Sequence, residues 1–232
     1  MYFSRMTVRP GSVQDMSFRE ICTGPYEIHT AIWDMFSGSD VIGRDFLYRI
    51  DERKGLAVLY VVSEREPLYN GRIWQVETKP YNPVITVGQR FSFLLRANPI
   101  VTKTGVREDG KRDRHRHDVV MEAKRWLREE GHMDKDQVSE QFLVNREGIR
   151  WLVKRCDKYG FEVLPTEVMA DGYQQMRFYK GGKKRTISIS TIDFSGLLTV
   201  TDPECFYKTI GSGIGPAKGF GCGLLLIRPP GG

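Results

Sequence analysis

Two residues of proton-transfer type stand three apart in the segment PYEIHTAIWDMF: Tyr26 and His29. Residues three apart in a helix lie on one face, one turn from each other. Histidine takes and gives protons near neutrality, with an ordinary pKa of about 6.5, whereas tyrosine at about 10 is a weak base but a good hydrogen-bond donor. The apolar residues Ile28, Ala31, Ile32, Met35 and Phe36 recur at helical spacing, and Pro25 suits a first helical position. The pair therefore rides on an amphipathic helix of about three turns. A histidine beside an apolar stripe also occurs as a purely structural residue. The chain has no Ser-His-Asp or Cys-His order, no HExxH and no clear carboxylate pair. Chemistry run by His and Tyr alone must act on a group already carried by the substrate, and RNA supplies one in its 2′-hydroxyl.

Two segments are suited to holding a polyanion. The run GSGIGPAKGFGCG, residues 211 to 223, places six glycines in thirteen positions. It does not fit a phosphate-binding P-loop, because Lys218 is followed by Gly219 and the next element reads as a strand. It serves either as a tight helix-to-strand turn or as support for a nucleic-acid groove; in the second case Gly213, Gly215, Gly219, Gly221 and Lys218 would meet RNA. The turn KGGKKR follows Arg177, and from there to Arg185 five cations (Arg177, Lys180, Lys183, Lys184 and Arg185) occur without an acid. A hairpin tip of this kind reaches a phosphate backbone, or simply blunts an exposed sheet edge. Residues 103 to 118 (KTGVREDGKRDRHRHD) are less basic than they look, six cations facing four acids. They read as a polar segment that orders on a partner or stays solvated. The His115-x-His117 pair beside Asp118 lacks a persuasive third ligand, so no metal site is expected.

The 232 residues accommodate two domains of about 100 residues each. With 40% hydrophobic and 28% charged residues the composition is that of a globular chain, and no apolar run approaches the roughly 18 residues of a membrane span. The opening MYFSRMTVRP alternates apolar and charged residues, unlike a signal peptide, and Cys22, Cys156, Cys205 and Cys222 form no CxxC pair. A cytoplasmic protein without a disulfide framework is expected. Net charge is +6, with 12 basic and 11 acidic residues up to Asn98 against 23 and 18 beyond it. The basic excess belongs to the second half and suggests a polyanionic partner.

The elements needed to position these groups are readable in outline. Residues 2 to 9 predict a strand, followed by the Pro25 helix, a hairpin of 46–50 and 56–63, a short element and a strand over 72–78: the order of a ferredoxin-like βαββαβ unit. Residues 79 to 88 read as a linker. Beyond it lie a strand over 90–97, a polar stretch and a helix over 145–159. Strands follow over 161–169, 173–180 and 185–193, with a break before another at 197–200; a helix from Pro203 to Ile210 and a strand over 224–227 complete the series. The expected fold is α+β, two tandem ferredoxin-like (RRM-like) domains: residues 1–85 carrying the His29 helix, and 86–232 carrying the basic hairpin and the glycine loop.

MYFSRM, Tyr26-x-x-His29 with Trp33 and Phe36, Arg44-Asp45-Phe46-Leu47, Leu95-Arg96-Ala97-Asn98-Pro99, and above all Gly213-Ile214-Gly215-Pro216-Ala217-Lys218 with Gly221-Cys222-Gly223-Leu224-Leu225 resemble the CRISPR-associated endoribonucleases of type I-E systems. This is the CasE family, the guide-RNA processing subunit of Cascade. The resemblance runs nearly end to end and is weak over residues 103–145. It implies binding of the CRISPR repeat stem-loop in precursor RNA and cleavage at the 3′ base of the stem by the 2′-oxygen, without metal or small-molecule cofactor. It further implies retention of the mature guide RNA within Cascade, beside its other subunits, with no membrane partner. On the same basis His29 is the acid/base, Tyr26 its helper, and the Lys180–Arg185 turn a contact to the stem. The family's basic residue within one turn after the histidine has no counterpart among Thr30, Ala31, Ile32, Trp33 and Asp34, so the third catalytic role stays open. The rival expectation is an RNA-binding module of the same fold that does not cut.

Overall fold

Strand β1 (Tyr2–Val8) shows how the first sheet is built: Ser4, Met6 and Val8 are buried while Arg5 between them is exposed, as a half-buried strand requires. The computed structural model describes residues 1–9, 25–36, 43–53, 56–68, 74–106, 112–129, 138–179 and 186–231, giving the backbone alone at 25–27, 106, 112–114, 178, 179 and 186. Helix α1 (Pro25–Asp34) follows, then β2 (Phe46–Arg53), β3 (Leu56–Ser63) and β4 (Trp74–Pro80). The sheet order is β2-β3-β1-β4, antiparallel throughout, with Met6 opposite Leu59 on one side and Val76 on the other. This is the strand order of a ferredoxin-like unit. Ile32, Met35 and Phe36 from α1 and the turn after it bury against Met6, Phe46, Tyr48, Leu59, Val61 and Trp74.

Strand β2 is buried on both faces from Phe46 to Arg49. Phe46 and Tyr48 look toward α1, whereas Leu47, one residue out of phase, packs with Val62 and with Leu224 from the far end of the chain. That seam joins the first sheet to a second.

The second sheet comprises β5 (Arg90–Ala97), β8 (Phe161–Glu162), β9 (Val168–Tyr179), β10 (Thr186–Val200) and β11 (Leu225–Arg228). Its order is β11-β5-β10, with β9 and β8 both paired to the free edge of β10, so the ferredoxin-like order recurs. Helix α3 (Glu140–Val153) and helix α4 (Pro203–Ser212) contribute Leu143, Val144, Trp151, Leu152, Phe206 and Ile210 to a core shared with Leu95, Ala170, Ile192, Phe194 and Leu198. The tandem ferredoxin-like expectation is thereby met. An ion-pair network ties the sheets together: Asp193 of β10 takes a two-point contact from Arg96 of β5 (2.9 and 2.7 Å) and lies 3.2 Å from Arg49 of β2, which also pairs with Asp51. Arg96 further donates to the Ile50 carbonyl at 2.8 Å.

The described part of residues 103–118, expected as a polar segment that orders on a partner or stays solvated, forms two paired strands. Strand β6 (Ile100–Val106) pairs with β7 (Arg112–Asp118), and the chain turns directly into α2 (Val119–Glu129). The Asp118 carboxylate accepts from the Val120 and Met121 amides and so caps that helix. Helix α3 starts at Glu140, five residues before the expected point, because Ser139 caps it by accepting from the Phe142 amide at 3.2 Å. It ends at Val153; the expected last turn is a separate 3-10 turn, Cys156–Tyr159. The expected strand over 161–169 is broken by a 3-10 turn at Pro165–Glu167, whereas β10 runs unbroken through the expected gap. No helix among the described residues is long and apolar enough to cross a membrane.

Candidate active site

His29 lies on the flank of α1, three residues before the buried Ile32, at the point where the glycine-rich segment from the other end of the chain crosses the helix. Its ring is held between two aromatic neighbours, Trp33 one turn along and Phe220 from the crossing segment, each 5.9 Å away between centroids. The Tyr26 side chain falls outside the described residues; its backbone belongs to the first turn of the same helix.

The crossing segment is the 3-10 turn Lys218–Phe220. The Gly219 carbonyl accepts a 2.8 Å hydrogen bond from the Tyr48 hydroxyl, which rises out of the first core. The other side of Gly219 is as close to the site as a residue can be. A Cβ built there would stand 3.3 Å from Nη1 of Arg44, 3.5 Å from Cε1 of His29 and 3.7 Å from its Nδ1. The guanidinium and the imidazole are thus neighbours across one glycine, and a side chain there would crowd the guanidinium.

Burial, and then the positive charge of Arg44, push the His29 pKa below its ordinary value, while the Gly219 backbone pulls the other way. His29 is therefore neutral at pH 7, and its Nδ1 is buried with no hydrogen-bond partner among the described residues. Arg44 is also half-buried, its charge disfavoured by burial and opposed only by the Tyr48 phenol, whose own ionisation burial pushes well above the usual range. Lys218 completes a cationic cluster, its pKa lowered by burial, by Arg44 and by Lys158. No carboxylate offsets Arg44 or Lys218 among the described residues. A neutral imidazole beside uncompensated cations is an arrangement that takes a proton from one group and holds a negative charge on another.

The other expected site residues divide clearly. Gly213, Gly215 and Gly221, at φ of +76, +77 and +78, turn the chain against Leu47, Trp151 and Tyr48, so they shape the loop and only Gly219 reaches the site. Lys218 donates to the Ser212 carbonyl, closing the loop on itself. Arg177 is exposed on β9, far along the strand pair that runs to Tyr179 and Thr186; Lys180, Lys183, Lys184 and Arg185 lie outside the described residues. His115 and His117 share a face of β7, and His117 faces Glu122 at 3.5 Å. No group of three metal-ligating side chains occurs among the described residues. In the sequence Arg44 stands out only within the family resemblance of Arg44-Asp45-Phe46-Leu47; nothing in its spacing from His29 points to the site, because the residue just before β2 meets α1 only in the folded chain.

Residues 1–229 match the model of a family described as CRISPR associated protein. The chain belongs to that family. It is 27% identical over 244 aligned residues to the CRISPR-associated endoribonuclease Cse3 of Thermus thermophilus, with 99% of this chain and all of the relative covered. It is equally 27% identical, over 239 residues and the same shares, to the Cascade subunit CasE of Escherichia coli K12. Among solved structures, Cse3 bound to a 19-nucleotide RNA superposes with a TM-score of 0.70 at 25% identity, over 99% of this chain and all of that one. Fold and family therefore agree.

Proposed function

We propose that the chain is a metal-independent endoribonuclease that binds the stem-loop of a CRISPR repeat in precursor RNA, cuts at the 3′ base of the stem and keeps the guide RNA within Cascade, in the cytoplasm. The observation that carries this reading is the half-buried, aromatic-clamped His29 beside the Arg44 guanidinium, which has no carboxylate partner among the described residues, at the meeting of the two sheets. Relatives named as CRISPR endoribonucleases, one of them seen bound to RNA, support it.

In the reaction the 2′-oxygen of the nucleotide before the cut attacks the adjacent phosphorus. The 2′-proton goes to His29, whose neutral form is the one that accepts it. The bond to the 5′-oxygen breaks, and that oxygen is protonated by an acid; Tyr26, one turn earlier on α1, takes this part. The products are a 2′,3′-cyclic phosphate and a 5′-hydroxyl. A positioned acid/base contributes roughly 10² to 10⁴ in rate. Arg177 and the 180–185 connection supply phosphate contacts along the stem, since the deep, narrow major groove of A-form RNA leaves its base edges hard to reach. Residues 1–85 and 86–232 are the units that meet around the substrate.

The test is incubation of saturating protein with a repeat stem-loop in EDTA, alongside the same RNA with a 2′-deoxy nucleotide before the cut. Cleavage of the first and not of the second, with similar binding of both, is expected. Intact RNA in both reactions would mean a binding module that does not cut, and cleavage of the deoxy substrate would make water the nucleophile.

A further inference from the structure

The transition state of this reaction asks for more than proton transfer. As the O2′–P bond forms and the P–O5′ bond lengthens, the two non-bridging oxygens gather negative charge, and a donor fixed on them is worth far more in a partly desolvated site than in water. Neither Tyr26 nor His29 is a permanent cation. Three features of Arg44 suit it to the task.

The first is place: its Nη1 and the His29 ring close on the same point above Gly219, so a nucleotide whose 2′-hydroxyl faces the imidazole would present the free oxygens of its 3′-phosphate toward the guanidinium. The second is that its fork has no hydrogen-bond or ion-pair partner among the described residues. The adjacent acid, Asp45, is turned away and held by Arg65, which makes a two-point contact with it and also donates to the Phe36 carbonyl at 2.7 Å. The Tyr48 hydroxyl is engaged with the Gly219 carbonyl. The third is burial: a half-buried cation with no counter-charge among the described residues is an unfavourable arrangement, and an incoming anion relieves it. Lys218, the other cation of the cluster, is directed to the Ser212 carbonyl and holds the loop.

We propose that Arg44 is a catalytic residue, its guanidinium gripping the non-bridging oxygens of the scissile phosphate and stabilising the phosphorane. The planar fork matches two phosphate oxygens at once, which a lysine ammonium cannot do. Bonds and protons balance as in the reaction above: the 2′-proton leaves to His29, the 5′-oxygen gains one from the acid, and Arg44 exchanges none. The assignment rests on the reading of His29 as the proton acceptor.

The experiment measures single-turnover cleavage of a repeat stem-loop in EDTA by the full chain and by Arg44→Ala, Arg44→Gln and Arg44→Lys. Affinity is measured in parallel with the 2′-deoxy RNA, and folding by thermal melting. The expected result is a loss of about 10² to 10³ in the cleavage rate of bound RNA for Arg44→Ala and Arg44→Gln, the usual cost of a lost transition-state donor. Arg44→Lys should recover part of that loss, and affinity should change far less than rate. If Arg44→Gln cuts as fast as Arg44→Lys, charge is not what Arg44 supplies and the proposal is overturned. Wild-type cleavage rates in Arg44→Ala, or a loss confined to affinity, overturn it equally. The lysine variant keeps the test valid if the neutral ones fail to fold. Intact RNA with the wild-type chain would overturn the endoribonuclease reading itself, a result distinct from any of these.

Discussion

Substituting Gly219 by alanine separates the geometry of the site from the stability of the fold. The residue lies in a 3-10 turn and does not need the left-handed backbone region, so alanine is conformationally acceptable there. Removing a glycine's freedom from the unfolded chain stabilises by about 0.4–1 kcal/mol where the native backbone tolerates the change. Against this stands the new methyl group, 3.3 Å from Arg44 Nη1 and 3.5 Å from His29 Cε1. Contacts that tight require a few tenths of an ångström of movement. The guanidinium is the far end of a flexible side chain, so it yields while the imidazole, clamped between Trp33 and Phe220, does not. Net stability should therefore stay within about 1 kcal/mol of wild type, a shift of roughly 2–4 °C in Tm for a chain of this size. Catalysis should respond much more, since displacement of a reacting group by about 1 Å costs on the order of 10²-fold and the expected shift is a fraction of that. A cleavage rate about 10-fold lower, at unchanged affinity for the stem-loop, is the expected outcome. The assay is single-turnover cleavage in EDTA at saturating protein, with a melting curve on the same preparation. An unchanged rate would show that Arg44 and His29 do not need their present separation; a large fall in Tm would show that the turn cannot accept a Cβ at all.

Two further outcomes follow from groups already described. Replacing Asp193 by alanine strips the shared counter-charge from Arg96 and weakens the hold on Arg49, which keeps only Asp51. Because Asp193 is 26% exposed, the cost should be about 2–3 kcal/mol, below the 3–5 kcal/mol of a fully buried pair; equilibrium denaturation measures it, and a change under about 0.5 kcal/mol would refute the network as a tie between the sheets. The pH profile of kcat/KM reports the free protein, in which burial and Arg44 hold His29 below its ordinary pKa of about 6.5. With His29 as base, the rate should be flat through neutrality and fall only on acidification below that value, where the folded chain finally takes up the proton. The same sign applies to stability, because the unfolded chain binds that proton first, so any contribution is lost as pH falls. A rate that instead falls as pH rises through this range would make His29 the acid.

The parts of the fold legible in the sequence are those whose burial has a period. Alternation in β1, the 3.6-residue stripe of α1 and the β-branched run of β3 all face a single core, and their order gives the ferredoxin-like unit. The β6–β7 hairpin was not legible, because RDRHRHD has no apolar alternation; its structure comes from pairing with Ile100–Val106 and from Asp118 capping α2. The β-branched start of β6 and the Ser139 cap of α3 were available as signals. His29 was readable as a side chain with chemistry, and the glycine loop as a place of close approach. Their meeting was not. Nothing local records that Gly219 lies against His29 or that Arg44 reaches the same glycine, since these contacts depend on Leu47 and Leu224 joining the two sheets.

The hydrogen bond from Tyr48 to the Gly219 carbonyl spans 171 positions of sequence. A chain growing on the ribosome has made α1, β2 and the whole first sheet long before the turn that closes over His29 exists. The contact between the first sheet and that turn therefore waits until nearly the whole chain has been made. The closure over His29 is thus among the last contacts of the fold to form, and every earlier stage of the chain leaves that face of α1 open.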